Sequence, residues 1–136
     1  MKIYSIGHSN RSKEEFIELL KRYSIEAIVD VRRFPTSKFI EYKKENLVKI
    51  LNKEGIEYIH LKNLGGFRGG YEKWMFSNEW RNDYEKLKEI AKRKNVAIMC
   101  AEKFPFRCHR RHIAKMLVKE GWEIIHIINE KTWMEK

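Results

Sequence analysis

Six consecutive positions, Arg107-Cys108-His109-Arg110-Arg111-His112, put three arginines, two histidines and a thiol where a helical pattern begins. A helix start exposes backbone N–H groups and carries a partial positive charge. Anions bind there, and arginine adds bidentate recognition of phosphate or carboxylate. A cysteine in that field is expected to ionise more readily and to be the better nucleophile at neutral pH. A plainer arrangement fits the same residues, with Cys108 a small packed side chain and the arginines capping nearby carboxylates. The sequence leaves both open.

Cys100 ends the apolar run VAIMCA (96–101). Cysteine-dependent phosphatases and sulfurtransferases place their nucleophile at such a point, before a loop that cradles an oxyanion. Here the following loop reads AEKFPFR, lacks glycine, and sets Arg107 seven positions after Cys100. That is one position too far for a phosphatase loop. A buried structural thiol is the better-supported role for Cys100. The two cysteines give no zinc-ribbon spacing, so no metal and no cofactor are assigned. Joining them through sulfur needs Cα atoms within about 7 Å, which leaves redox or sulfur handling open.

Other titratable residues fall at the ends of strand-like runs. KIYSIG (2–7) leads to His8, Ser9 and Arg11, and AIVDV (27–31) contains Asp30 and leads to Arg32 and Pro35. EYIHL (57–61) leads to Gly65, Gly66 and Arg68. Candidate catalytic residues are therefore Cys108, His8, Asp30 and Glu102. Candidate anion holders are Ser9, Arg11, Arg32, Gly65, Gly66, Arg68, Arg107, His109, Arg110 and Arg111. An Asp30 carboxylate could orient His8 and raise its basicity. It could equally bind backbone amides, or pair with Arg32 or Arg33. Gly65-Gly66 and Gly69-Gly70 suggest a mobile lid or a close backbone approach. His60 and His126, inside strands, fit satisfied core or surface histidines better than ligands.

These runs alternate with helical patterns. Ser12 and Glu15 form a capping-box pair ahead of Phe16, Leu19 and Leu20. A helix around Leu47 and Leu51 ends at Gly55, and one carrying Ile113, Ala114 and Leu117 ends at Gly121. The fully apolar run at 96–101 is expected to be central, and EIIHII (123–128) is the last strand. Such alternation predicts a single α/β domain over 1–136, a three-layer, Rossmann- or flavodoxin-like arrangement of a mainly parallel five-stranded sheet flanked by helices. An irregular insert at about 62–82 carries Tyr71, Trp74, Phe76 and Trp80. Those aromatics could stack on single-stranded bases, but a small satellite core is favoured.

At 136 residues, 43% hydrophobic, the chain has material for one core, and composition argues against disorder. No apolar run approaches the roughly 20 residues of a membrane helix, and Met1-Lys2-Ile3-Tyr4 is no signal peptide, so a cytoplasmic location with no membrane partner is expected. The absence of Gln and the Lys, Glu and Ile bias follow heat-adapted proteins. The net charge of +10 suits an anionic small molecule or nucleic acid, although lysines on solvated helix faces produce it as well.

The runs IGHSNR (6–11), VDVRRFPTS (29–37), YIHLKNLGGFR (58–68) and CAEKFPFRCHRRHIA (100–114) resemble, in order, the signature blocks of domain-of-unknown-function family 488. The family pattern is intact at His8, Ser9, Asp30, Arg32, Pro35, Gly65, Gly66, Cys100, Glu102, Cys108, His109 and Arg110. The resemblance implies a compact α/β domain with these residues at its strand ends, and it implies no chemistry. Three readings follow: an anion- or phosphate-binding protein, as an enzyme acting on a nucleotide or nucleic acid; a non-catalytic nucleic-acid-binding module; and a thiol redox or sulfur-handling protein. The sequence does not set the oligomeric state, although exposed insert aromatics would suit a dimer.

Overall fold

In a computed structural model, residues 1–66, 69–104, 108–129 and 131–135 are described. Six strands form one sheet: β1 (Lys2–Gly7), β2 (Ala27–Asp30), β3 (Glu57–His60), β4 (Val96–Cys100), β5 (Glu123–Ile127) and β6 (Thr132–Met134). Their order is β3-β2-β4-β1-β5-β6. The first five run parallel, and β6 pairs antiparallel with β5. β6 adds a strand to the five expected. A turn in which Lys131 N–H donates to Asn129 Oδ1 folds the chain back, so that Trp133 faces His126.

Strand alternation sorts the apolar residues into two cores. On one face α1 (Lys13–Arg22) and α2 (Lys44–Lys53) set Phe16, Leu20, Leu47 and Leu51 against Tyr4, Ile6, Ile28 and Met99. On the other, α4 (Asn78–Arg93) and α5 (Arg110–Lys119) set Trp80, Leu87, Ile113 and Leu117 against Ile3, Val29, Ile98 and Ile124. This is the expected three-layer arrangement. β4 lies between β1 and β2 and is buried at all five positions, as a strand covered on both faces must be.

The described residues of segment 62–82 carry more regular structure than its composition suggests. They hold a 3-10 turn (Lys62–Leu64), the short helix α3 (Tyr71–Trp74) and the first turn of α4. The Ser77 hydroxyl accepts from Trp80 N–H and caps α4. The cap puts Trp80, Tyr84, Leu87 and Ala91 on one helix stripe facing the sheet. Trp80 is wholly buried in the main core, and its indole N–H donates to Tyr71 Oη. The aromatics thus extend the main core, apart from the exposed Phe76.

Two glycines mark close backbone approaches. A Cβ on Gly7 would collide with the Glu102 carbonyl, and one on Gly65 with the Arg33 backbone. Gly7 therefore lets the loop after β4 lie against the end of β1. Gly7→Ala is expected to lower stability by about 1–3 kcal/mol, the usual cost of forced overpacking. Denaturant unfolding at neutral pH reads this directly, and an unchanged midpoint would show that the loop gives way.

Candidate functional site

The chain runs outward from β1 through β2 to β3 with its helices on one face. It then re-enters at β4 and leaves through α5 on the other face. At β4 the outgoing connections of neighbouring strands part to opposite sides. A crevice at the carboxyl ends of such strands is where open α/β sheets bind ligands. A pocket of about 380 Å³ lies there, bounded by Arg32–Phe34 after β2, Gly66 after β3, Cys100–Glu102 after β4, and Cys108–His109 ahead of α5.

The sulfurs of Cys100 and Cys108 meet in this wall as a disulfide, with Cα atoms 7.5 Å apart, somewhat beyond the limit set from sequence. Cys100 is 2% exposed and Cys108 8%. Cys108 sits one residue ahead of His109, the first flanking residue of α5, and its sulfur accepts weakly from Arg110 N–H at 3.5 Å. Each sulfur has its own neighbour. His109 donates Nε2–H to the Val31 carbonyl (3.2 Å), which leaves Nδ1 as an acceptor 3.8 Å from Cys108 Sγ. Arg110 donates Nε–H to Cys100 Sγ at 3.0 Å.

Arg110 is fully buried. Its Nη1 donates to Ser5 Oγ (2.9 Å), and its Nη2 to the carbonyls of Glu102 and Lys103. Among the described residues none of its hydrogen-bond partners is a carboxylate. Burial pulls its pKa down to about 9; Arg11 adds to that and Glu102 opposes it. A buried cation in such company is costly unless a partner supplies negative charge. Of the groups it touches, Cys100 can do so once the disulfide is reduced.

A second buried cation is fully matched. Asp30 Oδ1 accepts from Arg32 N–H (3.0 Å) and Nε–H (2.9 Å), and Oδ2 from Arg32 Nη2 (2.8 Å) and Tyr58 O–H (2.6 Å). Arg32 Nη1 donates to the carbonyls of Tyr42 (2.7 Å) and Thr36 (3.2 Å). The Asp30–Arg32 pairing is the one realised, in place of a direct Asp30–His8 bond. His8 donates Nδ1–H to the Ser9 carbonyl (3.0 Å), turns Nε2 toward Arg32 Nη1 at 3.5 Å, and stacks on Tyr42.

The pocket thus collects Arg32, Gly66, Cys100, Glu102, Cys108 and His109, with His8, Asp30 and Arg110 behind its wall. Other candidates point elsewhere. Arg11 is buried and binds the Gly7 and Ile128 carbonyls and Glu15. The Ser9 hydroxyl reaches Asn10, and Arg111 lies on the exposed side of α5, donating to His112. Gly65 serves the close approach to Arg33. Arg68 and Arg107 lie outside the described residues. Sequence reasoning did not single out Ser5 or Tyr58, nor Phe34 and Arg33 as wall residues. Pairing registers carry the missing signal, since Ser5 and His126 become cross-strand neighbours once β1 and β5 are aligned. Among the described residues, no helix is long and apolar enough to cross a membrane, and no cluster of three or more His, Cys, Asp or Glu side chains could hold a metal ion.

Compared with known families, residues 12–117 match the family described as "Domain of unknown function DUF488". The matched span includes both cysteines, Arg110 and the Asp30–Arg32 pair. No curated protein and no solved structure matches the chain.

His8 and His109 have pKa values lowered to about 4, in both cases chiefly by burial, with Arg32 and Arg110 contributing at His8 and Arg110 and His112 at His109. Both rings are neutral in the fold and take up protons once exposed below about pH 6.5. Between pH 6.5 and 4 the unfolded chain binds more protons, so stability rises with pH across that window. Denaturant titrations should show stability falling by about 1–2 kcal/mol per ring from pH 7 to pH 5. His109→Asn should flatten that slope.

Proposed function

The chain belongs to the DUF488 family, and on that premise we propose that its strand-end pocket carries out thiol–disulfide exchange, with Cys100 and Cys108 as a reversible pair. The observation that carries the reading is the Arg110 Nε–H donated to Cys100 Sγ at 3.0 Å by a buried guanidinium without a carboxylate among its described hydrogen-bond partners. Reduction of the pair gives Arg110 a thiolate to balance it. A thiolate so held is a good leaving group.

The order of bond changes follows from exposure. A substrate thiolate attacks Cys108 Sγ, on the more exposed of the two cysteines that line the pocket. The Cys100–Cys108 bond breaks, and its electron pair stays on Cys100 beside Arg110. A second substrate thiolate then attacks the substrate sulfur of the mixed disulfide and releases Cys108 as a thiolate. Two substrate thiols become one disulfide, and the protein gains two electrons. The reverse sequence reduces a substrate disulfide. His109 Nδ1 stands within reach to share the proton of Cys108.

A second reading, binding of an anionic ligand in the same pocket, is favoured by Arg32 and Arg33 in its lining. Arg32 and Arg110 already spend several donors within the protein, so any phosphate would meet the rim ahead of these head groups. The two readings combine if the substrate thiol carries an anionic group. A nucleotide or nucleic-acid ligand, with or without catalysis, remains within this second reading, and it requires affinity that falls with salt.

The test uses the reduced Cys108→Ser protein, in which Cys100 is the sole thiol. Ultraviolet thiolate absorbance is followed against pH. The expected midpoint lies at least about one pH unit below the ordinary thiol value of about 8.5, and Arg110→Met should return it to that value. An ordinary midpoint that ignores Arg110 would sink the exchange reading. Alkylation of wild-type cysteines with and without phosphate, nucleotides or short single-stranded DNA tests the anion reading, which predicts protection by at least one of them.

A further inference from the structure

A hydrogen-bond chain leads from Cys100 along the α5 face of the sheet toward its β6 edge. Arg110 Nε–H donates to Cys100 Sγ (3.0 Å), and Nη1–H of the same guanidinium donates to Ser5 Oγ (2.9 Å). Ser5 Oγ lies 2.5 Å from His126 Nδ1, and His126 Nε2 lies 3.2 Å from Glu135 Oε1. Ser5 and His126 are wholly buried, and the Glu135 side chain is 12% exposed.

With a neutral imidazole and an ionised Glu135, one proton arrangement suits every link. Arginine can only donate, so Ser5 Oγ accepts from Arg110 and its own hydrogen points to His126 Nδ1. The imidazole then carries its proton on Nε2 and gives it to the Glu135 carboxylate. A proton on Nδ1 would leave the Ser5 hydrogen without this acceptor. A charged imidazole would also set a second buried cation behind Arg110. Burial first, then Arg110, lowers the His126 pKa, while Glu135 opposes both. The titratable and charged groups facing His126 are thus Glu135, the residue after β6, and Arg110, from α5, with the Trp133 ring tilted against it at 5.1 Å between centroids. Ser, His and a carboxylate are the makings of a hydrolytic triad. Ser5, however, is sealed in the core and its oxygen is already engaged by Arg110, so this set has no access to a substrate.

We infer that Ser5, His126 and Glu135 are positioning residues that orient Arg110 toward Cys100 and so set how much thiolate that sulfur carries. The inference rests on the exchange reading above and adds three residues outside the matched span of 12–117. It also gives β6 a task. Glu135 N–H bonds to the Ile124 carbonyl (3.0 Å), which fixes the backbone that carries the carboxylate beside β5.

The experiment measures Cys100 thiolate against pH in the reduced, full-length Cys108→Ser protein, alone and with Glu135→Ala, Glu135→Gln or Ser5→Ala added. Glu135→Ala and Ser5→Ala should each cut the thiolate fraction below the midpoint by roughly threefold, about the worth of one network hydrogen bond. Glu135→Gln keeps an acceptor oxygen and should restore most of it. A purely structural role would lower thermal stability with the Cys100 titration unmoved, and that result overturns the inference while leaving the exchange reading intact. An ordinary Cys100 midpoint in the parent overturns both. Nitrogen NMR of the His126 ring in the wild-type protein gives an answer that does not depend on any variant folding. The Nε2–H neutral tautomer supports the chain, and an Nδ1–H or charged ring at neutral pH rules it out.

Discussion

A buried guanidinium with no carboxylate among its described hydrogen-bond partners is the constraint around which this domain is organised. Desolvating such a group is expensive, and here the cost is met by dipoles: the Ser5 hydroxyl and the carbonyls of Glu102 and Lys103. Each comes from a different part of the site. β1 supplies the serine, the loop after β4 supplies the carbonyls, and α5 carries the arginine itself. Loop and strand can approach this closely because Gly7 lacks a side chain. The Arg110 head group therefore ties together the elements that form the pocket, and its Nε–H points at a sulfur.

The contrast with Arg32 shows what the sequence pattern alone conceals. Both arginines are buried at the same end of the sheet, Arg32 just after β2 and Arg110 at the start of α5. Arg32 meets a carboxylate two residues away, with three N–H groups on its two oxygens. That pair is self-sufficient, and it organises Tyr58, Tyr42 and the loop to Thr36. Arg110 has no such carboxylate among its described partners. Two chemically identical side chains, separated by a single Asp, thus take opposite parts. One is structural ballast for the crevice, and the other is a charge awaiting a partner.

Much of the architecture was legible because its signals are local or periodic. Ser12 and Gly55 mark helix ends as their chemistry dictates, and the apolar run ending in Cys100 is the central strand. The crevice was legible too, since alternating strands and helices place all the loops after parallel strands on one edge. The partners chosen within it were not. Asp30 could have taken His8 as readily as Arg32, and Arg110 could have faced an anion in solvent. Burial and register decide such choices, and neither can be read one residue at a time. β6 was missed because three residues give no periodicity. Trp80 was read as part of a loop, although Ser77 and the 80-84-87-91 stripe place it on a helix.

β1 lies between β4 and β5, so the strand made first is completed on both sides by strands made much later. The Ser5–His126 contact spans 121 positions, and it forms only after that long loop is closed. Contacts of such range come late in folding, because entropy is lost before they return anything. A chain still emerging from a ribosome can display both cysteines before β5 has docked and before Ser5 has met its histidine. On the exchange reading, the sulfurs of such a nascent chain behave as ordinary thiols, so the topology itself sets the moment at which the finished site begins to exist.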